Sequence, residues 1–105
     1  MLKQDKALSM LGLAQKAGKV VSGEFSTEKA VKSGKAFLVV VAADSSDNTK
    51  KMFEDMCRYY DVPIYYYSDK ETLGHCIGKQ FRASLAVIDE GFSRQIIKHL
   101  DNGLE

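Results

Sequence analysis

The sequence has 105 residues, of which 45% are hydrophobic and 28% charged, which is typical of one folded domain and argues against disorder. Its formal net charge of +1 leaves the class of partner open. The longest apolar run, Ala36 to Ala43, is shorter than the roughly 20 residues that cross a membrane. The stretch Met1–Lys6 lacks the apolar segment of a secretory signal, so we expect a cytoplasmic protein with reduced cysteines.

The N-terminal third of the chain is predicted to form a helix, a very short strand and a second helix. Apolar residues repeat at helical spacing over Lys3–Ala17, and Gly18 suits the position after a helix end. Val20–Val21 is predicted as the strand. Ser22 is predicted to cap the second helix, which Gly34 would end.

The middle of the chain is predicted to form strand, helix and strand. Phe37–Ala42 is a continuous β-branched and apolar run, which is typical of a strand buried on both faces. Ser45–Asp47 supplies capping chemistry for a third helix. The apolar stripe predicted for that helix comprises Met52, Phe53, Met56, Cys57 and Tyr60. Pro63 near the start of the strand Val62–Tyr67 predicts an edge position.

The C-terminal part of the chain completes the alternation of helices and strands. Ser68 and Glu71 match a capping box, which predicts a short helix ending near Gly78. Ala83–Ile88 is predicted as another buried strand. The last helix is defined by Phe92, Ile96 and Leu100, and a loose tail begins at Asn102-Gly103. The pattern predicts a single α/β domain over residues 1–105, a three-layer α-β-α sandwich whose four-stranded mixed sheet carries helices on both faces.

Residues with catalytic or metal-binding chemistry are present, but their spacing favours structural roles. His75 and His99 have no acid or cysteine at metal-ligand spacing. Cys57 belongs to an apolar stripe, and Cys76 cannot face His75 because adjacent helical residues diverge. The successive carboxylates Asp89-Glu90 are predicted to favour the start of the last helix. We therefore expect no enzyme activity, no cofactor and no metal.

The charge is unevenly distributed along the chain. Residues 1–35 carry seven lysines and three acids, and residues 36–105 carry eight bases and eleven acids. Gly23 permits close backbone approach at a helix N-terminus, which suits a phosphate group. The lysines either face a polyanion or simply solvate two surface helices. Tyr65–Tyr67 offers either stacking faces for bases or an alternation of buried and exposed rings.

Several segments together resemble a known family. They are residues 11–19 (LGLAQKAGK), Ser22-Gly23, residues 29–36 (KAVKSGKA), residues 44–49 (DSSDNT), Val62-Pro63, Leu73-Gly74 and Gly78-Lys79. In this order they resemble YlxQ-type bacterial proteins of the kink-turn-binding ribosomal protein superfamily, the L-seven-Ae and L-thirty-e kind. The resemblance covers residues 3 to about 100. It implies an α-β-α sandwich, RNA binding and a setting in translation or with the ribosome.

The resemblance also implies where RNA would bind. Members of the superfamily carry Gly-x-Asn-Glu-x-x-Lys, whose Asn-Glu pair reads sheared G·A base pairs, and this chain has Phe25 and Ser26 in its place. Phe25 is interpreted either as a stacking platform for an unpaired base or as a core contact. A second RNA-facing loop corresponds to residues 77–83. The predicted RNA-binding residues are Lys16, Lys19, Ser22, Gly23, Glu24, Phe25, Ser26, Lys29, Lys32, Lys79 and Arg82.

The resulting hypothesis is a non-catalytic protein that binds structured RNA, with ribosomal RNA as the candidate, mainly through phosphate contacts. We expect a monomer with no DNA or membrane partner. The alternative is a protein-interaction module on the same scaffold that has lost kink-turn recognition. The missing Asn-Glu pair favours this alternative, and the lysine-rich N-terminal third opposes it.

Overall fold

The computed structural model describes residues 5–102. Its helices and strands are α1 (Lys6–Lys16), β1 (Val20–Ser22), α2 (Glu24–Lys32), β2 (Leu38–Val41), α3 (Asp47–Tyr60), β3 (Ile64–Tyr66), α4 (Lys70–Cys76), β4 (Ser84–Val87) and α5 (Glu90–Asp101). Their order is the predicted one. The predicted helix start at Lys3 and the tail from Gly103 lie outside the described residues.

The four strands form one mixed sheet in the order β1-β4-β2-β3. β2 and β3 are parallel, whereas β4 runs antiparallel to both β1 and β2. All residues of the two central strands are buried, as their β-branched runs predict. β3 lies at an edge, which confirms the position predicted from Pro63.

Helices cover both faces of the sheet, which confirms the predicted sandwich. On one face Leu11 of α1, Leu73 of α4 and Ile96 of α5 pack against alternate residues of the central strands. On the other face α2 and α3 contribute Val31 and Phe53 to a second cluster. Cys57 lies in this second cluster, and its burial raises the pKa of the thiol to about 11. Its predicted packing role is therefore confirmed.

Side-chain caps begin four of the five helices, and two of the predicted caps are wrong. Asp5, Ser46, Asp69 and Asp89 each accept a hydrogen bond from a backbone N–H in the first turn of their helix. Ser68 does not cap α4, because its own backbone has φ +63° and the helix begins one residue later, behind Asp69. Ser22 does not cap α2, because it is the last residue of β1.

Candidate nucleic-acid interface

The connection from β1 to α2 consists of a single glycine. Gly23 has φ +93°, a conformation that residues with a side chain rarely adopt, so the direct turn from strand to helix depends on glycine. Its N–H donates to the carbonyl oxygen of Ser84 at 2.9 Å, which ties the turn to β4. No side chain caps the N-terminus of α2. First-turn N–H groups therefore remain available beside open space.

The second predicted region is the segment that leads from α4 back to β4, residues 77–83. It returns alongside α4, because the N–H of Arg82 donates to the carbonyl oxygen of Lys70 at 3.0 Å. Gly74 in α4 permits this close return. A Cβ at that position would lie 1.9 Å from the backbone oxygen of Gln80. Close packing against α4 thus holds the segment in place.

One side-chain hydrogen bond joins the segment to the junction. The Nε of Arg82 donates to the Oγ of Ser22 at 3.0 Å, across 60 residues of sequence. One terminal nitrogen of the same guanidinium donates to the carbonyl oxygen of Phe81 at 2.7 Å. The two regions that the resemblance assigns to RNA binding therefore form one surface, which we call the junction surface: residues 22–29 and 77–83.

The outer face of α2 continues this surface. The Phe25 side chain is 77% exposed, so its interpretation as a core contact is wrong. Phe25, Lys29 and Lys32 line a shallow groove on the helix. The Lys32 ammonium lies 2.7 Å from the carboxylate of Glu28, and this hydrogen bond raises the pKa of Lys32. Both lysines are exposed, but Lys29 forms no ion pair within the described residues and is therefore the better placed of the two for an external anion.

The remaining predicted residues lie at different distances from the junction. Lys79 is exposed on the α4–β4 segment, and Lys16 lines a groove between α1 and Gly78 at the start of that segment. Lys19 precedes β1, so the strand separates it from Ser22 by about 10 Å. Both Glu24, which is exposed, and Ser26, which is half-buried, lie in the first turn of α2. The junction surface therefore contains most of the predicted residues. Lys16, Lys19 and Lys32 lie outside it, with Lys16 and Lys32 in the neighbouring grooves.

Phe81 is a member of this surface that sequence reasoning did not single out. Its side chain is 62% exposed, although phenylalanine is usually buried. The sequence signal for it was its position between Lys79 and Arg82 in a segment whose second residue is Gly78. An apolar ring among cationic side chains in a loop is unusual for a residue that serves only the core.

Other candidate groups take structural roles. The hydroxyl of Tyr65 donates to Asp101, and that of Tyr67 donates to Asp5. Both rings therefore pack on the side of the sheet that α1 and α5 cover. Tyr66 points to the other face and is exposed. Burial raises the pKa of the half-buried Cys76 thiol to about 11. Within residues 5–102, no three His, Cys, Asp or Glu side chains are arranged to hold a metal. The same residues contain no helix with the length and apolar character needed to span a bilayer.

Comparisons with known proteins show to which family the chain is similar. The model of the Ribosomal protein L7Ae/L30e/S12e/Gadd45 family matches residues 5–97. RNA-binding protein YlxQ of Bacillus subtilis (strain 168) is 44% identical over 92 residues, which cover 88% of this chain and 92% of that protein. RNA-binding protein YlxQ of Enterococcus faecium is 37% identical over 92 residues, 88% of each chain.

Two solved structures share the fold. A protein with unknown function from Bacillus halodurans C superposes with a TM-score of 0.90 at 38% identity, over 93% of this chain and 99% of the other. The Giardia lamblia 15.5kD RNA binding protein superposes with a TM-score of 0.78, over 96% and 92% of the two chains. At 19% identity the latter supports the fold alone. The chain therefore belongs to the Ribosomal protein L7Ae/L30e/S12e/Gadd45 family, as a member of the YlxQ type.

Proposed function

We propose that this chain is a non-catalytic, monomeric RNA-binding protein whose ligand is structured RNA, with ribosomal RNA as the candidate. Two relatives at 44% and 37% identity carry the name RNA-binding protein, which supports the class of ligand. The observation that carries the proposal is the hydrogen bond from Arg82 to Ser22. This hydrogen bond brings two segments that are distant in sequence together into one surface.

Phosphate contacts supply most of the affinity in this proposal. Lys29 and Lys79 are exposed. The guanidinium of Arg82 uses two of its nitrogens in intramolecular hydrogen bonds, and its third nitrogen is available to donate to a phosphate. The N-terminus of α2 adds backbone N–H groups and a positive dipole end. Exposed Glu24 in the first turn cannot bind phosphate, but its carboxylate can accept a hydrogen bond from a base amino group.

The test is a fluorescence titration of RNA at several salt concentrations. We expect the Lys29→Ala, Lys79→Ala and Arg82→Ala variants each to weaken binding to all structured RNAs similarly. Each should flatten the slope of log affinity against log salt by about one unit, since one phosphate contact is lost. Lys98→Ala is the matched control, because Lys98 is exposed on α5, outside the junction surface, and its loss should leave binding unchanged.

Two outcomes would contradict the proposal. The first is that wild-type protein binds neither ribosomal RNA nor a kink-turn RNA at low salt. The second is that the three variants bind RNA as tightly as wild type. Either outcome would favour the alternative, a protein-interaction module. Its test is capture of a partner that Phe25→Ala or Arg82→Ala abolishes and Lys98→Ala does not.

A further inference from the structure

The outer edge of β3 is an open side of the sheet. The carbonyl oxygen of Pro63 and the N–H of Tyr67 both form hydrogen bonds with β2, and backbone groups alternate in direction along a strand. The N–H and C=O groups of Ile64 and Tyr66 therefore point away from β2. Within residues 5–102 no further strand pairs with them, so they are free to pair with an added strand.

The two edges of the sheet differ in how far they are covered. At β1, Val20 is buried and the hydroxyl of Ser22 accepts a hydrogen bond from Arg82. At β3, no residue of the strand is buried, although it consists of one isoleucine and two tyrosines. Edge strands usually carry charged side chains that prevent pairing, and an uncharged, accessible edge points to a partner strand that covers it.

A groove lies beside this edge, between β3 and α3. Its volume is about 620 Å³, and its apolar lining comes from Cys57, Val62, Pro63 and Ile64. A strand added to the edge directs every second side chain to this face of the sheet, where the side chain opposite Ile64 meets the apolar lining. An apolar residue of the partner suits that position.

The charged residues near the groove indicate the charge of the partner. Arg58 lies 3.4 Å from Asp55, and the ammonium of Lys50 lies 5.9 Å from the centroid of an aromatic ring of β3. Glu54 and Asp61 line the groove and are exposed, and neither forms an ion pair within the described residues. The cations thus interact within the chain, whereas the two acids are available to cations of a partner.

The spacing of the two acids fits an extended chain. Glu54 and Asp61 are seven residues apart at the C-terminal half of α3, about 10 Å along the helix axis. In a strand, the residues two before and two after a given position share its face and are about 13 Å apart. Long basic side chains at these two positions therefore reach both carboxylates while the residue between them enters the groove.

We propose that the edge of β3 docks an extended segment of a partner protein, in which one apolar residue lies between two basic residues at alternate positions. Main-chain hydrogen bonds to Ile64 and Tyr66 supply affinity, and the apolar and basic side chains supply specificity. β3 lies three strands from β1, about 14 Å across the sheet, so this site is separate from the junction surface. Docking at this edge does not depend on the proposed RNA binding.

The probe is the acetylated and amidated peptide Ser-Lys-Thr-Val-Thr-Lys-Ser, whose lysines and valine share one face of a strand. Hydrogen exchange of the protein, followed by NMR, reports on the main chain. We expect the amide protons of Ile64 and Tyr66 to exchange at least about tenfold more slowly with saturating peptide. The amide proton of Tyr67, which already donates to β2, should exchange at an unchanged rate.

N-methylation of the peptide tests the same pairing from the partner's side. Only alternate N–H groups of a strand face its neighbour. A peptide methylated at the valine nitrogen and one methylated at the nitrogen of the following threonine should therefore differ in affinity at least about tenfold. Both peptides keep every side chain and both charges.

Charge variants of the protein test the specificity. Glu54→Gln and Asp61→Asn should each weaken peptide binding by about threefold to fivefold, since each removes one exposed ion pair. Asparagine tolerates the left-handed backbone of position 61, where φ is +60°. Glu90→Gln is the matched control, because Glu90 is exposed on α5, which covers the other face of the sheet, and should leave peptide binding unchanged.

Four outcomes would overturn the proposal. The first is no saturable binding of the peptide, and the second is binding without slower exchange at Ile64 and Tyr66. The third is equal affinity for the two N-methylated peptides or equal affinity of wild type and both charge variants. The fourth is a free protein that sediments as a dimer weakened by Glu54→Gln and Asp61→Asn, which would identify a second copy as the occupant of the edge.

Discussion

Arg82 differs from the lysines of the junction surface because its guanidinium makes two intramolecular hydrogen bonds, to Ser22 and to the carbonyl of Phe81. A lysine ammonium carries the same charge but lacks the planar fork that reaches both acceptors. We expect Arg82→Lys to weaken RNA binding nearly as much as Arg82→Ala, by about tenfold, or ~1.4 kcal/mol. Titration against Lys29→Arg, which should bind like wild type, is the comparison. Arg82→Lys with wild-type affinity would show that only its charge matters.

Position 25 also separates two modes of recognition. The resemblance implies that an Asn-Glu pair reads sheared G·A base pairs, and this chain has Phe25-Ser26 there. We expect the double change Phe25→Asn and Ser26→Glu to raise the preference for a kink-turn RNA over a plain duplex. An unchanged ratio of kink-turn to duplex affinity would contradict this expectation.

At the scale of elements, the packing of α4 against residues 77–83 depends on Gly74. A Cβ there would lie 1.9 Å from a backbone oxygen that cannot move without shifting the segment. We expect Gly74→Ala to destabilise the protein by roughly 1–3 kcal/mol and to weaken RNA binding, because Phe81 and Arg82 move with the segment. Urea unfolding and RNA titration measure the two effects.

Two other helical glycines provide a graded control for this prediction. At Gly12 a Cβ would lie 3.0 Å from the backbone oxygen of Cys76, so Gly12→Ala should have a smaller effect. At Gly91 the nearest atom is a side-chain oxygen of Asp89 at 3.4 Å, so Gly91→Ala should be neutral or stabilising by about 0.5 kcal/mol. A Gly74→Ala variant as stable as Gly91→Ala would show that the segment is free to move.

Local patterns predict the elements of this chain well, because hydrophobic periodicity and turn residues act over a few positions. Phe37–Ala42 contains the strand Leu38–Val41, and Ser46 caps α3 as predicted. The two wrong caps have a non-local cause. Ser68 adopts φ +63° where its carbonyl accepts from the N–H of Ala43, a contact 25 residues away that no pattern around Ser68 reveals.

The candidate site was predictable in outline for the same reason. The glycine–helix junction and the basic loop are visible as local motifs. The hydrogen bond from Arg82 to Ser22 that joins them connects residues 60 positions apart in sequence, and neither local motif predicts it. The exposure of Phe25 was equally hidden, since an aromatic residue in an amphipathic helix is more often buried.

For the whole molecule, the buried thiol of Cys57 and the half-buried thiol of Cys76 make the free energy of unfolding depend on alkaline pH. Burial raises the pKa of Cys57 and of Cys76 from 9.0 to about 11, so the folded protein keeps protons that the unfolded chain loses. Their contribution is therefore complete below pH 9.0 and is lost as pH rises toward 11. We expect the free energy of unfolding in urea to fall over this range. In Cys57→Ala the fall should be smaller, and an identical fall would contradict this account.

The order of the strands in the sheet also affects when the protein can fold during its synthesis. β1 lies at the sheet edge with β4 as its neighbour, and the junction glycine is tied to Ser84. At about 5–20 residues per second, the ribosome makes the roughly 60 residues between these partners in about 3–12 s. During that interval the lysine-rich N-terminal third has been synthesised but lacks the strand that shapes it. We therefore expect a nascent chain to bind RNA through the proposed junction surface only after β4 has been synthesised, so that capture by nearby transcripts waits until folding is nearly finished.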